Sequence, residues 1–167
     1  MEPYRARLEE PFDNEGHMTI VGLADYIIEY YNQQGWEINN LRLCQVIYIV
    51  YASYYGRRHE PLFNDVKFAR WSFSPVVEDV YFRYCLYGGY PVIKSLTPGI
   101  QLDDSMPKFF IPQLLKKIHS KAPWDIVALG CGYAWGEANR AGNKHLRDKD
   151  IALETTYNPK YKEFHLC

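Results

Sequence analysis

Acid–base, nucleophilic or metal chemistry in this chain would have to start from its five histidines, four cysteines or an adjacent pair of acids. The histidines are His17, His59, His119, His145 and His165, and no two lie three or four residues apart. A zinc site needs three or four converging ligands. Only His165 and Cys167 sit at local ligand spacing, so the sequence predicts no metal centre. Cys44, Cys85, Cys131 and Cys167 are far apart and form no C-x-x-C pair; free thiols in a reducing compartment are expected. Glu78 and Asp79 are neighbours, which on a helix point about 100° apart and cannot flank one substrate. No serine occupies a G-x-S-x-G elbow, and no phosphate-binding loop occurs.

Ile126 to Gly132 imitates the strand-plus-glycine start of a methyltransferase cofactor site. That site requires a parallel sheet of several βαβ units. Only thirty-five residues follow Gly132, so a helix end with a glycine turn is the expected structure. His119 is the most notable of the histidines because Pro123-Trp124 follows it. A hydrolase or metal enzyme built on it would need distant partners. The local patterns predict no enzyme, no cofactor and no metal.

Helical spacing dominates the elements that would position these residues. Ile20, Leu23, Ala24, Ile27, Ile28 and Tyr31 share one helical face, with Thr19 to cap the start and Gly35 to end it. A second helix is predicted from Asn39 or Asn40 to just before Gly56. Its apolar residues run round nearly the whole circumference, which marks a central buried helix. Val66 to Phe73 alternates loosely and predicts a short strand or hairpin arm. In the next segment Ser74 suits an N-cap, Pro75 the first helical position, and Glu78 and Asp79 the positive end of the dipole. Gly88-Gly89 stops that helix. Further helices are expected near 112–119, 125–129 and 148–155. Residues 1–16 show no period and are expected as a flexible N-terminal arm, with residues 17–167 as a single domain. The fold class is mainly α: a compact single-domain helical bundle with one short β-hairpin or extended arm.

Composition narrows the class of partner. Nineteen basic against twenty acidic side chains leave a net charge of -1, without the basic excess that phosphate binding demands, which argues against nucleic acid. The longest apolar run, Val46 to Ala52, is far short of the ~20 residues that span a bilayer. No secretory h-region opens the sequence, so a cytoplasmic protein is expected. Fifteen tyrosines tilt the chain toward protein recognition, because tyrosine is enriched at interfaces.

Three segments in fixed order resemble the Panacea domain (SocA-like, GepA phage-associated proteins) over residues 23–90. They are Leu41-Arg42-Leu43-Cys44-Gln45-Val46-Ile47-Tyr48, then Pro61-Leu62-Phe63, then Ala69 to Tyr81 with Trp71, Pro75, Val76, Val77 and Tyr81 in step. His119 to Trp124 is similar to the family's histidine motif followed by Pro-Trp, with Ile118 where the family has threonine. Gln45 replaces the family's lysine, Ser74 replaces a glycine, and the stretch from Pro91 to His119 is shorter than usual. The resemblance implies an antitoxin that neutralises a toxin encoded beside it by direct binding, one relative acting as an adaptor that delivers its toxin to a protease. The alternative is a phage or mobile-element protein that binds and modulates a host or defence protein. Residues expected at a partner contact are Trp71, Pro75, Tyr81, His119 and Trp124, with Tyr54 and Tyr55 as further surface candidates. Trp71, Pro75 and Tyr81 also make sense as a clamp on the start of the third helix.

Overall fold

The computed structural model describes residues 10–64 and 66–164. The chain is mainly helical, with one two-stranded antiparallel sheet. Among the described residues no helix is long and apolar enough to cross a membrane. Helix α1 spans Ile20–Gln33, and the Thr19 hydroxyl accepts the Gly22 N–H at 3.2 Å as the cap. Helix α2 spans Asn40–Arg58, capped by the Asn39 side chain, which accepts the Arg42 N–H. Every residue from Leu43 to Ser53 on α2 is buried, so neighbours surround it as the apolar circumference predicts.

Those neighbours are the hairpin β1 (Ala69–Trp71) and β2 (Ser74–Val76), α1, α3 (Glu78–Arg83), α4 (Phe110–His119), α5 (Pro123–Gly130) and α8 (Glu154–Tyr157). Helices α6 (Tyr133–Ala141) and α7 (Asp148–Ile151) pack on each other, and α6 also meets β1 and α8. Short 3-10 turns run over Cys85–Tyr87 and Pro159–Phe164.

Four side chains three or four apart make a polar stripe along buried α2, and each bonds a different element. Gln45 Nε2 donates to the Phe73 carbonyl at the hairpin tip, and the Tyr48 hydroxyl donates to Glu154 at 2.6 Å. The Tyr51 hydroxyl donates to the Phe63 carbonyl, and the Tyr55 hydroxyl to Asp148. Glu154 is fully buried, and its other oxygen accepts the Tyr133 N–H at 2.7 Å. A carboxylate from α8 therefore caps α6, whose own N-cap residue, Gly132, has no side chain to do so. A Cβ on Gly132 would lie 2.3 Å from Asn158 Nδ2 and 2.9 Å from Glu154 Oε2, so the glycine keeps that approach open.

Several expectations need correction. Ser74 and Pro75 do not cap and begin a helix; they lie in β2, and the helix starts at Glu78. Pro75 stands opposite Arg70, whose N–H points away from β2 to the Lys144 carbonyl, so the missing proline N–H breaks no bond between the strands. Gly56 does not end α2, which runs on to Arg58 and closes at His59 in the left-handed conformation. The glycine instead admits Thr155, whose Oγ1 would lie 1.9 Å from a Cβ at position 56. Helix α6 was not anticipated. The arm expected over residues 1–16 lies partly outside the described residues. Its end is tied down: the Thr19 hydroxyl donates to the Glu10 carbonyl, the Thr19 N–H to that of Pro11, and Phe12 bridges to Met18.

In an exposed helix Gly→Ala gains about 1 kcal/mol of propensity. Overpacking costs about 1–3 kcal/mol. With Thr155 against it, Gly56→Ala should lower the midpoint of thermal unfolding, and adding Thr155→Ala should recover part of the loss. A rise in the midpoint for Gly56→Ala alone would contradict the close approach.

Candidate protein-docking face

The hairpin and α3 bring two of the expected contact residues together. Trp71 and Tyr81 meet edge to face with ring centroids 4.7 Å apart, and both remain partly exposed. Pro75 is buried, with its Cδ 3.3 Å from where a Cβ on Gly130 would lie. It packs the hairpin onto α5 and offers nothing to a partner. The hairpin tip is anchored from three sides. Trp135 Nε1 donates to the Trp71 carbonyl, Gln45 to that of Phe73, and the Cys131 thiol to that of Ser72. Phe73 stands out from this tip, well exposed. Burial first, and the Glu154 charge second, push the Cys131 thiol up to about 11, which favours its protonated form.

The other expected residues lie elsewhere. His119 stacks flat on Trp36 (3.9 Å, 9°), with the edge of Tyr31 against it. Partial desolvation, then the charge of Arg42, hold its pKa below the ordinary 6.5. Trp124 is exposed at the start of α5. Tyr54 contacts Phe110, and Tyr55 bonds Asp148. Both tyrosines lie near the far end of α2, about 15 Å along the helix from Gln45. The seven candidates therefore do not form one surface.

A different apolar surface follows α3, and sequence reasoning missed it. Leu86 is 99% exposed, Tyr90 79%, Ile93 77% and Leu96 59%, all within eleven residues. The segment folds back on itself beside the start of α2. The Leu96 N–H donates to the Tyr84 hydroxyl, the Val92 N–H to the Ile38 carbonyl, and Pro91 bridges to Asn39. Asn40 Nδ2 donates to the Tyr81 carbonyl, which ties α3 to the same end of α2. The signal was present as a run of nineteen residues, 84–102, with one charged side chain and neither a helical nor a strand period.

A buried ionic cluster behind this loop holds it in shape. Asp25 on α1 is fully buried. Arg83 meets it with two bonds, Nε at 3.0 Å and Nη2 at 2.8 Å. The Tyr84 and Thr97 hydroxyls also donate to it. One turn along α1, Glu29 accepts from the Ser95 hydroxyl and the Gly99 N–H. The loop that displays Ile93 and Leu96 is thus fixed by charge-assisted bonds, the stronger kind.

An open cleft of about 1080 Å³ lies between the start of α1, the loop after α2 and the start of α3. Asp13, His17, Lys67, Glu78 and His145 line it. Among the described residues no group of three or more His, Cys, Asp or Glu side chains could hold a metal ion. Among the described residues, the ring contacts of His119 are with Tyr31 and Trp36. Comparison with known protein families, with curated proteins and with solved structures found no match to this chain.

Removing one partner of a buried ion pair costs about 3–5 kcal/mol. Arg83→Met should approach that loss in chemical denaturation and speed amide exchange at Thr97 and Gly99. Unchanged exchange there would show that the cluster does not hold the loop. The depressed His119 pKa means the fold favours the neutral imidazole. Its contribution to stability is full above 6.5 and is lost as pH falls through the lowered value. Histidine NMR should place this titration below 6.5, and Arg42→Gln should move it upward.

Proposed function

We propose that this chain is a protein-binding antitoxin that neutralises a cognate toxin by direct contact in the cytoplasm, without catalysing a reaction. The observation that carries the reading is the exposed group Leu86, Tyr90, Ile93 and Leu96, held on a loop braced by buried charge. Large apolar groups clustered on a surface favour a site that another protein covers. The Panacea-like order of motifs in residues 23–90 supplies the kind of partner: a toxin encoded beside the chain, with protease delivery as the adaptor form of the same activity. The packing of most elements onto α2 supports treating residues 17–167 as one helical bundle. In this reading Trp71 and Tyr81, packed on each other at the start of α3, extend the contact, and Pro75 packs the hairpin that carries Trp71 onto α5.

Co-expression tests the proposal. A small neighbouring open reading frame should arrest growth alone and be silenced by this chain. Leu86→Ala and Ile93→Ala should leave unfolding within about 0.5 kcal/mol of the parent, as surface changes do. Each should weaken toxin binding by more than ~1 kcal/mol if it lies at the contact's centre. Trp71→Ala should lower thermal stability as well as binding, because its ring packs on Tyr81. Rescue that survives loss of both Leu86 and Ile93 would sink the proposed contact. Absence of any toxic neighbour would turn the proposal toward a phage or mobile-element protein directed at a host protein.

A further inference from the structure

We infer that the buried Glu154 carboxylate is a proton-controlled positioning group. Ionised, it holds the turn that anchors the hairpin tip; on taking up a proton it loosens that turn while the rest of the fold persists.

The turn is formed by residues 131–135, which lead from α5 into α6. On one side it holds the hairpin. The Cys131 thiol donates to the Ser72 carbonyl, and Trp135 Nε1 to that of Trp71 at 2.9 Å. Arg70 adds bonds to Asn139 on α6 and to the Asn143 carbonyl just past it. On its other side the turn is held by Glu154. Oε2 accepts the Tyr133 N–H at 2.7 Å, and the Ala134 N–H gives a second backbone bond. The Tyr48 hydroxyl donates to Oε1 at 2.6 Å. One turn of chain therefore connects a carboxylate in the core to the tip that displays Phe73.

No cation offsets that carboxylate. Glu154 is fully buried, and none of the ion pairs among the described residues includes it. The titratable groups facing it are Tyr48 from α2, Tyr161 from the turn Pro159–Phe164, and Cys131. Burial pushes all three up, so they are uncharged at neutral pH. The groups that bond the carboxylate all donate: the Tyr48 hydroxyl, two backbone N–H groups and the Asn158 side chain. A proton on Oε2 takes away an acceptor from the α6 cap, and one on Oε1 meets a hydroxyl already donating. Either sets donor against donor. Burial raises the Glu154 pKa above the ordinary 4.5 by more than these bonds lower it. The stability that follows is full below 4.5 and is lost as pH rises through the raised value. Proton uptake thus favours the folded chain while weakening one turn of it, which acid unfolding would not do.

NMR of the full chain, from neutral to mildly acid pH, tests this. The Glu154 carboxyl-carbon shift reports its proton. As it titrates, exchange protection of the Tyr133 and Ala134 amides and the Trp135 indole should fall. With the intrinsic pH dependence of exchange removed, the fall should be roughly tenfold or more, the scale of one hydrogen bond to a charged group. The Ile27 amide, in the middle of α1, should keep its protection. Glu154→Gln copies the protonated group and should show the low protection at neutral pH, with no step on acidification. Tyr48→Phe removes a donor that favours the ionised form, so the step should move to higher pH. That variant decides the matter if Glu154→Gln does not fold. A step that is absent while Glu154 titrates, that survives in Glu154→Gln, that keeps its midpoint in Tyr48→Phe, or that Ile27 shares would overturn the inference. So would a Glu154 that stays ionised until the chain unfolds. None of these readouts involves a partner, so they test Glu154 separately from the antitoxin reading.

Discussion

Burial of the middle of α2, Leu43 to Ser53, is the constraint on which the rest of the structure depends. A helix with solvent on one side can leave its polar side chains to water. A helix surrounded by protein must find each of them a partner, or lose the desolvation free energy of that group, about 1–3 kcal/mol. Gln45, Tyr48 and Tyr51 meet this requirement by bonding the hairpin, α8 and the segment after α2, and half-buried Tyr55 adds α7, while the Ser53 hydroxyl has no partner among the described residues. Because each bond goes to a different element, satisfying the helix also fixes where those elements lie. Gln45 shows the logic best. Its amide is buried and donates to the Phe73 carbonyl, a neutral bond that needs no counter-charge.

Two buried carboxylates link the elements around α2 to one another, and to α6 and the loop carrying Thr97. Glu154 joins Tyr48 to the first turn of α6, and Asp25 joins α1 to α3 and the loop carrying Thr97. They differ in what balances the charge. Asp25 faces a guanidinium, while Glu154 has only neutral donors. Burial therefore raises the Glu154 pKa even though the Tyr48 and Tyr133 bonds pull it down. The same proximity, together with burial, pushes the Tyr48 hydroxyl well above its usual range. Asp25 thus acts as an ionic clamp, and Glu154 as a hydrogen-bond acceptor placed at a helix start.

Legibility of the fold in the sequence followed periodicity. Helices α1 and α2 were readable because long apolar patterns and polar caps agreed with each other. The Ser74-Pro75 pair misled, because the same residues that suit a helix start also suit a strand whose N–H groups are not all needed. Gly56 misled for a related reason: a glycine can end a helix or admit a neighbour, and only Thr155, ninety-nine residues later, decides which. Helix α6 was hidden because its cap comes from Glu154, a residue beyond its own end. Of the residues expected at a partner contact, the fold brings Trp71 and Tyr81 against each other. His119 and Trp124 entered through the likeness to a histidine and Pro-Trp motif, and Tyr54 and Tyr55 as surface candidates; the fold stacks His119 on Trp36 and sets the two tyrosines toward the far end of α2. The 86–96 face was missed because exposed apolar residues on an irregular loop have no period to betray them.

That face and the Asp25 cluster make physical sense only together. Leaving Leu86, Tyr90, Ile93 and Leu96 in water forgoes burial worth about 1.5–3 kcal/mol for a fully buried Leu or Ile side chain. A loose loop would fold such residues inward or collapse onto neighbours. Here the backbone at Leu96 and Gly99 is bonded to Tyr84 and Glu29, and the Thr97 side chain to Asp25, so collapse would break charge-assisted bonds in a buried setting. The cluster therefore stabilises an exposure that hydrophobicity opposes. Local conflict of this kind, held in place by a stronger interaction behind it, is what a surface prepared for another molecule requires. A contact made by a loop already held in shape loses less conformational freedom on binding than one made by a loop that must first be ordered. The ion pair beneath the loop is thus part of what keeps the side chains above it exposed.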